Sequence, residues 1–566
     1  MLHRRPWLIP LVLCFFLISL AACGGSPIPS PPDEDTGSAD VDTDPPEVQV
    51  GERLFRETRF AQFFFANSSG NVNTPLESGD PVMNTTQTVG APLPGPFKGQ
   101  SMTCRACHLV DELAGVKGGG VRTYADFARR SPIPVRDDGL TVTPRNAPPM
   151  VNATLMRDVP AVFHSDGEFA SIGDLVVGTL TGRNFGWLPA EQNTAISHIA
   201  NVIRSDNGKN ALAQEYGGGG VPYQVLLAGT SAAIPAHLVI PAQYRFDVTT
   251  ATDPQVLNGM AKLIQAYLDS LRFSTDSSGQ YNGSPYDVFL AKNGLPRAPF
   301  SNESGLQYSQ RLLGLINQLS NPKFVTSKDG KFTLHNQAFA FGATELQGLK
   351  IFFSTQTGSN SGHTGNCVSC HTPPNFTDFV FHNNGTSQFE YDAIFGNGAF
   401  ANLDVPDLQT RNGNFDAYLP PSPEHPNATS RMRSPATADK PGYTDLGAWN
   451  IVGNPDLPNA QPPLTQILCG EFDLDSSNCT PDVLLPLTVA YFKTPTVRDL
   501  GQSDPYLHNG SMDSIEDVLN FYVESTALSH DGQLRNGSPE LSNVQIDSTD
   551  VAPLAAFLRA LNEDYD

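Results

Sequence analysis

Tryptophan, cysteine and methionine are scarce in this chain of 566 residues, which holds three, eight and eight of them. Basic side chains are also few: 35 Lys and Arg stand against 58 Asp and Glu, a formal charge of −23. A surface that acidic is repelled by phosphate backbones, which argues against nucleic acid as a partner. Beyond the first two dozen residues no run is long and apolar enough to cross a bilayer. What is plentiful is Gly, with 49 residues, and Pro, with 47, so turns and loops occupy much of the chain and long uninterrupted helix bundles are disfavoured. At about 100–200 residues per domain the length is too great for one core.

Residues 1–22 combine a basic start (His3, Arg4, Arg5), an apolar run from Trp7 to Leu20 and the sequence Leu20-Ala21-Ala22-Cys23. This resembles a bacterial lipoprotein signal, which implies an exported protein lipidated on Cys23. Gly24 behind that cysteine points to the outer membrane, with the protein facing the periplasm or the cell surface. An ordinary signal peptide or a transmembrane anchor is the alternative, although the run is shorter than the ~18 residues that spanning needs. Residues 23–46 are rich in Pro, Gly, Ser and acids, with seven acids and no Lys or Arg between Asp33 and Glu47. Such a segment buries too little apolar surface to offset its ordering entropy and reads as a disordered tether.

Folded sequence begins near Val48, where GERLFRETRFAQFFF sets Leu54, Phe55 and Phe60 at helical spacing. VLNGMAKLIQAYLDSLRF (256–273) carries Leu257, Met260, Leu263, Ile264, Tyr267, Leu268 and Leu271 on one face and closes a first domain, 47–275. Turn-rich residues 276–335 read as a linker or insertion. ELQGLKIFF (345–353) opens, and VAPLAAFLRALNEDYD closes, a second domain over 336–566. The organisation of opening helix, irregular body and closing helix therefore occurs twice.

The strongest signal is Cys104-Arg105-Ala106-Cys107-His108, repeated in type as Cys367-Val368-Ser369-Cys370-His371. Two thiols three apart can each add to a vinyl group of one haem, and the following His then ligates its iron. A closed zinc shell would need four ligands, and a redox dithiol a βαβ context, neither of which the flanks supply. The pattern implies two covalently bound haem c groups. Of the remaining cysteines Cys14 lies in the signal, and Cys469 and Cys479 in a polar segment of an exported chain suggest a disulfide.

With these motifs in place the chain resembles the bacterial di-haem cytochrome c peroxidase family, which includes the MauG-type enzymes. TPRNAPPMVNA (143–153), FHSDGEFASIGDL (163–175), NFTDFVFHNNG (375–385), DLGAWN (445–450) and FKTPTVRDLGQSDPYLHNGSMDSIEDVLNFY (492–522) carry the resemblance. It implies a mainly α fold of two cytochrome c-like domains with long loop insertions, each domain holding one haem. It also implies that peroxide reacts at the N-terminal haem while the C-terminal haem relays electrons from a small cytochrome or cupredoxin-type donor. A calcium ion often sits between the domains, and Ser503 and Pro505 match two of its carbonyl positions. Tyr522 stands where peroxidases have an axial Met and MauG-type enzymes an axial Tyr, on a helix starting at Ser514 whose Ile515, Val518, Leu519 and Tyr522 share a face. Met512 or His382 is the alternative ligand, and His508 orders the loop.

The resemblance frays at the first haem. Tyr124 takes the place of the family's distal His, and no His follows His108 until His164, which replaces the Trp of the family's FWDG. Heterolysis of an O–O bond needs an acid or base over the iron. The family's Glu position holds Gly173, so His164, Glu168 and Asp174 become the candidate catalytic groups, with surface roles for the two acids as the bland alternative. Trp187 and Trp449 read as packing residues, with bridging of electron transfer as the other possibility. Three functions compete: a peroxidase-type oxidoreductase, which reduces peroxide or uses it to oxidise a substrate; a rubber-oxygenase-like dioxygenase, to which the 263 residues between Cys104 and Cys367 leave room; and a non-catalytic electron-transfer lipoprotein.

Overall fold

The computed structural model describes residues 44–76, 87–88, 91–92, 101–104, 107–111, 120–123, 145–215, 220–332, 335–355 and 363–564. The lipoprotein signal, Cys23, nearly all of the tether and Tyr124 lie outside the described residues. The described residues are mostly helical, with 17 α-helices and three two-stranded antiparallel ladders. No helix among them is long and apolar enough to cross a membrane.

The helices of eight residues or more are α1 (Pro46–Phe55), α2 (Ile172–Leu180), α3 (Gln192–Ser205), α4 (Asp253–Ser270), α5 (Pro285–Lys292), α6 (Gly305–Asn317), α7 (Ala343–Phe353), α8 (Thr386–Phe395), α9 (Gln461–Glu471), α10 (Ile515–His530) and α11 (Val551–Arg559). Side chains set their starts. Thr252 and Gln255 form a capping box at α4, and Ser514 Oγ accepts a hydrogen bond from the Asp517 N–H at α10.

Three apolar clusters hold the chain from Asp44 onward as one compact unit. The first joins α1, α2, α3 and α4 through Leu54, Phe55, Val176, Ile199, Leu257 and Ile264. The second gathers residues around Trp449 and Leu464 together with Val162 from the N-terminal half. The third is built from α5, α6, α7 and α11 with Ile515 and Leu519 of α10. Residues 276–335 are therefore more than a linker. Ser284 and Ser304 cap α5 and α6, and Tyr308, Leu312 and Ile316, spaced four apart, are buried in the third cluster. Turn residues around a short amphipathic helix conceal its period in the sequence.

The opening and closing helices of each half pack on one another, α1 on α4 and α7 on α11. Both crossings pass through a glycine. A Cβ at Gly51 would sit 2.1 Å from the Leu263 carbonyl oxygen, and one at Gly348 would sit 1.9 Å from that of Pro553. Backbone on the far side cannot yield as a side chain would, so each helix pair must part before it admits a methyl group. Gly51→Ala and Gly348→Ala are each expected to cost about 1–3 kcal/mol, read as a lower Tm; unchanged melting would refute the close approach.

Candidate active site

The two Cys-x-x-Cys-His motifs are tight turns. Cys107 N–H donates to the Cys104 carbonyl at 3.1 Å, and the N–H groups of Cys370 and His371 both donate to the Cys367 carbonyl, at 3.3 and 2.8 Å. All four sulfurs are free, whereas Cys469 and Cys479 are joined in a disulfide. Burial pushes the thiols of Cys104, Cys107 and Cys367 up to about 12, the opposite of the lowered values that reactive dithiols need. The residues suit haem attachment. His108 Nδ1 is buried without a hydrogen-bond partner, and His371 Nδ1 lies 3.3 Å from the Phe376 carbonyl, leaving Nε2 for iron.

Around the first motif, residues 163–169 form a closed loop. Phe163 and Phe169 exchange backbone hydrogen bonds of 2.8 and 3.4 Å, while His164 and Gly167 adopt left-handed φ of 64° and 81°. At Gly167 a Cβ would lie 2.9 Å from the Phe381 ring, so glycine is required there on both counts. The loop brings His164 Nδ1 to 3.0 Å from Glu168 Oε2. Phe163 of this loop lies in the first apolar cluster, against which Cys104, Cys107 and Phe169 pack, and burial foremost holds His108 down to about 4.

Glu168 is a half-buried carboxylate held in ion pairs and not a freely solvated surface acid. Burial alone would raise its pKa, but Arg433, at 2.5 Å, and then the His164 hydrogen bond hold it well below the usual range. Arg433 also reaches Asp166 at 3.2 Å, and Asp166 and Asp445 both bind Arg145, at 2.5 and 2.5 Å. Arg183 adds a third guanidinium 4.0 Å from Glu168. Asp174, by contrast, is exposed in the first turn of α2, where its N–H donates to Ser171 Oγ, and the structure does not bring it into the ion pairs around Glu168.

Near the second motif, Tyr522 Oη accepts a hydrogen bond from Asn384 Nδ2 at 3.3 Å. Burial pushes the phenol up to about 12, with Cys370 and Cys367 among the neighbours that bear on it. His382 is engaged by carboxylates: Asp378 at 2.8 Å, Glu471 at 3.4 Å and Glu540 at 3.8 Å. Met512 sits in a turn where its carbonyl accepts from the Tyr506 N–H at 2.7 Å. His508 stacks on Phe492 at 3.6 Å, and its carbonyl accepts from the Asn146 N–H. The Pro505 carbonyl, one of the two expected calcium positions, takes a hydrogen bond from the Asn146 side chain, whose Oδ1 is buried and unpaired. Carbonyl and amide oxygens are the hard donors that calcium accepts. Trp187 donates to the Phe60 carbonyl inside the first cluster, and Trp449 is buried in the second beneath Arg411.

No protein-family model matches the chain. A cytochrome-c peroxidase of Denitromonas iodatirespirans, IdrP2, is 26% identical over 206 residues, which are 35% of this chain and 36% of that protein. The chain thus spans about a third of the length of this curated relative. Among solved structures, the diheme peroxidase BthA from Burkholderia thailandensis E264 aligns over 92% of this chain and 86% of its own, at a TM-score of 0.41 and 16% identity. A MauG-like protein associated with microbial copper homeostasis aligns over 92% and 89%, at 0.41 and 14%. The sequence similarity is thus to a cytochrome-c peroxidase, over about a third of each chain.

Sequence reasoning named His164 and Glu168, which the structure brings together, but not Arg145, Arg183 and Arg433, which surround them. Arg145 stands in TPRNAPP and Arg433 in SRMRS, 288 positions later, and nothing in the sequence announces that one set of carboxylates binds both. Removing one member of such a set leaves a buried charge uncompensated, at a cost of about 3–5 kcal/mol. Glu168 and Asp445 have lowered pKa values in the folded state, so the stability they contribute is present above the ordinary carboxylate range and is lost as pH falls through their folded values. Arg433→Met is therefore expected to destabilise most at pH 7 and progressively less in acid; denaturant titrations at pH 7 and pH 3 that show equal losses would contradict this.

Proposed function

We propose that the protein is a di-haem c-type oxidoreductase of the peroxidase class. It reduces hydrogen peroxide, or uses it to oxidise a substrate, at the haem of the first motif, with electrons relayed from a small donor protein through the haem of the second. The observation that carries the reading is the half-buried His164–Glu168 pair, on the loop whose Phe163 lies in the apolar cluster against which Cys104 and Cys107 pack. Reduction of peroxide to water consumes two electrons and two protons, and the haem irons supply the site for peroxide and the passage for electrons.

The protein's own groups manage the protons. Arg433 and Arg183 keep Glu168 ionised, so its Oε2 accepts from the His164 Nδ1–H and fixes that tautomer. Nε2 of His164 is then the atom that takes a proton from the near oxygen of peroxide and returns it to the far one. In this reading Tyr522 Oη would be the residue that holds the second iron, and a phenolate there would favour the ferric state. Calcium, where bound, takes the carbonyls of Ser503 and Pro505. Export and a lipid anchor on Cys23 place this chemistry at the bacterial envelope.

His164→Ala, with haem content retained, is expected to lower peroxide turnover by about 10²–10⁴-fold, and Glu168→Gln to reproduce part of that loss. A full-rate His164→Ala enzyme would overturn the assignment. The ferric spectrum is expected to show one high-spin and one low-spin haem. Two low-spin haems would favour the electron-transfer reading instead, and a low-spin signal unchanged by Tyr522→Phe would reject that ligand.

A further inference from the structure

The arginines buried in this fold find acceptors, with one exception. Arg145 and Arg433 bind the carboxylates already described, Arg53 and Arg59 share Asp206 at 3.2 and 3.0 Å, and Arg498 holds Asp287 at 2.9 Å. Arg411 has no carboxylate but donates to the backbone carbonyls of Trp449 and Val452. Arg157 differs: its Nε and Nη2 are buried with no hydrogen-bond partner. Its guanidinium lies 4.4 Å from the ring centre of Phe379 and 5.6 Å from that of Phe163.

A second cation shares this place. Lys493 Nζ is 5.7 Å from the same Phe163 ring and uses one of its three donors on the Val162 carbonyl, at 2.8 Å. Among the described residues neither Arg157 nor Lys493 has a carboxylate within ion-pair distance. Burial drives both toward neutrality, Arg157 to about 10 and Lys493 to about 7; the guanidinium adds to the effect at Lys493, and Asp166 offsets it only in part. Two half-buried cations with no carboxylate in ion-pair reach are unfavourable, so the fold suits an anion that the polypeptide does not itself provide.

We propose that Arg157 and Lys493 form a cradle for a propionate carboxylate of a covalently bound haem. The location selects that anion. Phe379 follows His371 by eight residues, on the segment whose Phe376 carbonyl touches the His371 ring, and Phe163 lies in the apolar cluster against which Cys104 and Cys107 pack. The cations therefore sit on rings that adjoin segments of both attachment motifs. Thioether links fix one edge of a porphyrin to its cysteines, and the opposite edge carries two carboxylates that have to be neutralised wherever they enter protein. A guanidinium fork accepts a carboxylate through two parallel N–H bonds, and an ammonium adds a point charge beside it. The proposal rests on the haem-attachment part of the reading above and is independent of peroxide chemistry.

The test uses holoprotein matured with both haems, as wild type, Arg157→Gln, Lys493→Met and the charge-conserving Lys493→Arg. Resonance Raman spectra report the propionate bending modes, and redox titration reports each midpoint potential. Each neutral variant is expected to shift a propionate mode of one haem and to lower that haem's potential, because a lost cation stabilises the ferric state; Lys493→Arg is expected to leave both near wild type. The haem that responds identifies which group supplies the carboxylate. Unchanged propionate modes and potentials in Arg157→Gln and Lys493→Met, at full haem content, would overturn the cradle. Wild-type protein that loses its pigment to acid–acetone would instead overturn haem attachment itself.

Discussion

Six paired charges, four of them buried, set the geometry on which the candidate site depends. Arg145, Arg183 and Arg433 face Asp166, Glu168 and Asp445, three cations against three anions. Four of these residues precede the second Cys-x-x-Cys-His motif and two follow it, so the set registers the loop that carries His164 against segments far along the chain. Desolvation offsets most of the attraction in such a group, which makes it a poor source of net stability. Its effect is on uniqueness: an arrangement that separated any one partner would strand a charge out of water.

That constraint explains why the 163–169 loop tolerates an unfavourable backbone. A left-handed histidine costs free energy that a surface loop would relieve by rearranging. Here Asp166 is tied to Arg145 and Arg433, Glu168 to Arg433, and Gly167 is pressed against Phe381 and Leu464. The backbone on both sides of His164 is thereby fixed, and the imidazole is presented toward Glu168 with little freedom left.

Much of this was legible in the sequence wherever local rules apply. The helices around 256–273, 345–353 and 515–522 follow from apolar spacing and a serine cap, and the two motifs from the spacing of sulfur and imidazole. What could not be read depends on residues distant in the chain. Glu168 looks like a solvated acid beside Gly167 and is tied into an ion pair because Arg433 arrives from 265 positions away. Helix α6 is hidden in Gly- and Pro-rich surroundings because its apolar face is narrow and meets its partners, Phe341 and Leu349, only in the third cluster. The glycine crossings were equally silent, since a glycine in a helix reads as a defect until the opposing backbone is known.

The two halves share a scaffold and differ in what lines it. Each pairs an opening with a closing helix through a glycine, and each places a Cys-x-x-Cys-His turn near the packed core. Beside the first motif the polar lining is charged and paired, an imidazole held by an ionised carboxylate. Beside the second it includes a neutral phenol, raised to about 12 by burial, hydrogen-bonded to Asn384, whose own Oδ1 is occupied by the Thr386 N–H and hydroxyl at 3.1 and 2.7 Å. Those two bonds fix the amide with its nitrogen toward Tyr522, so the phenolic oxygen is stabilised as an acceptor. One repeated framework thus presents an ionised carboxylate and imidazole at one motif and, at the other, an oxygen that only a strong cation would ionise.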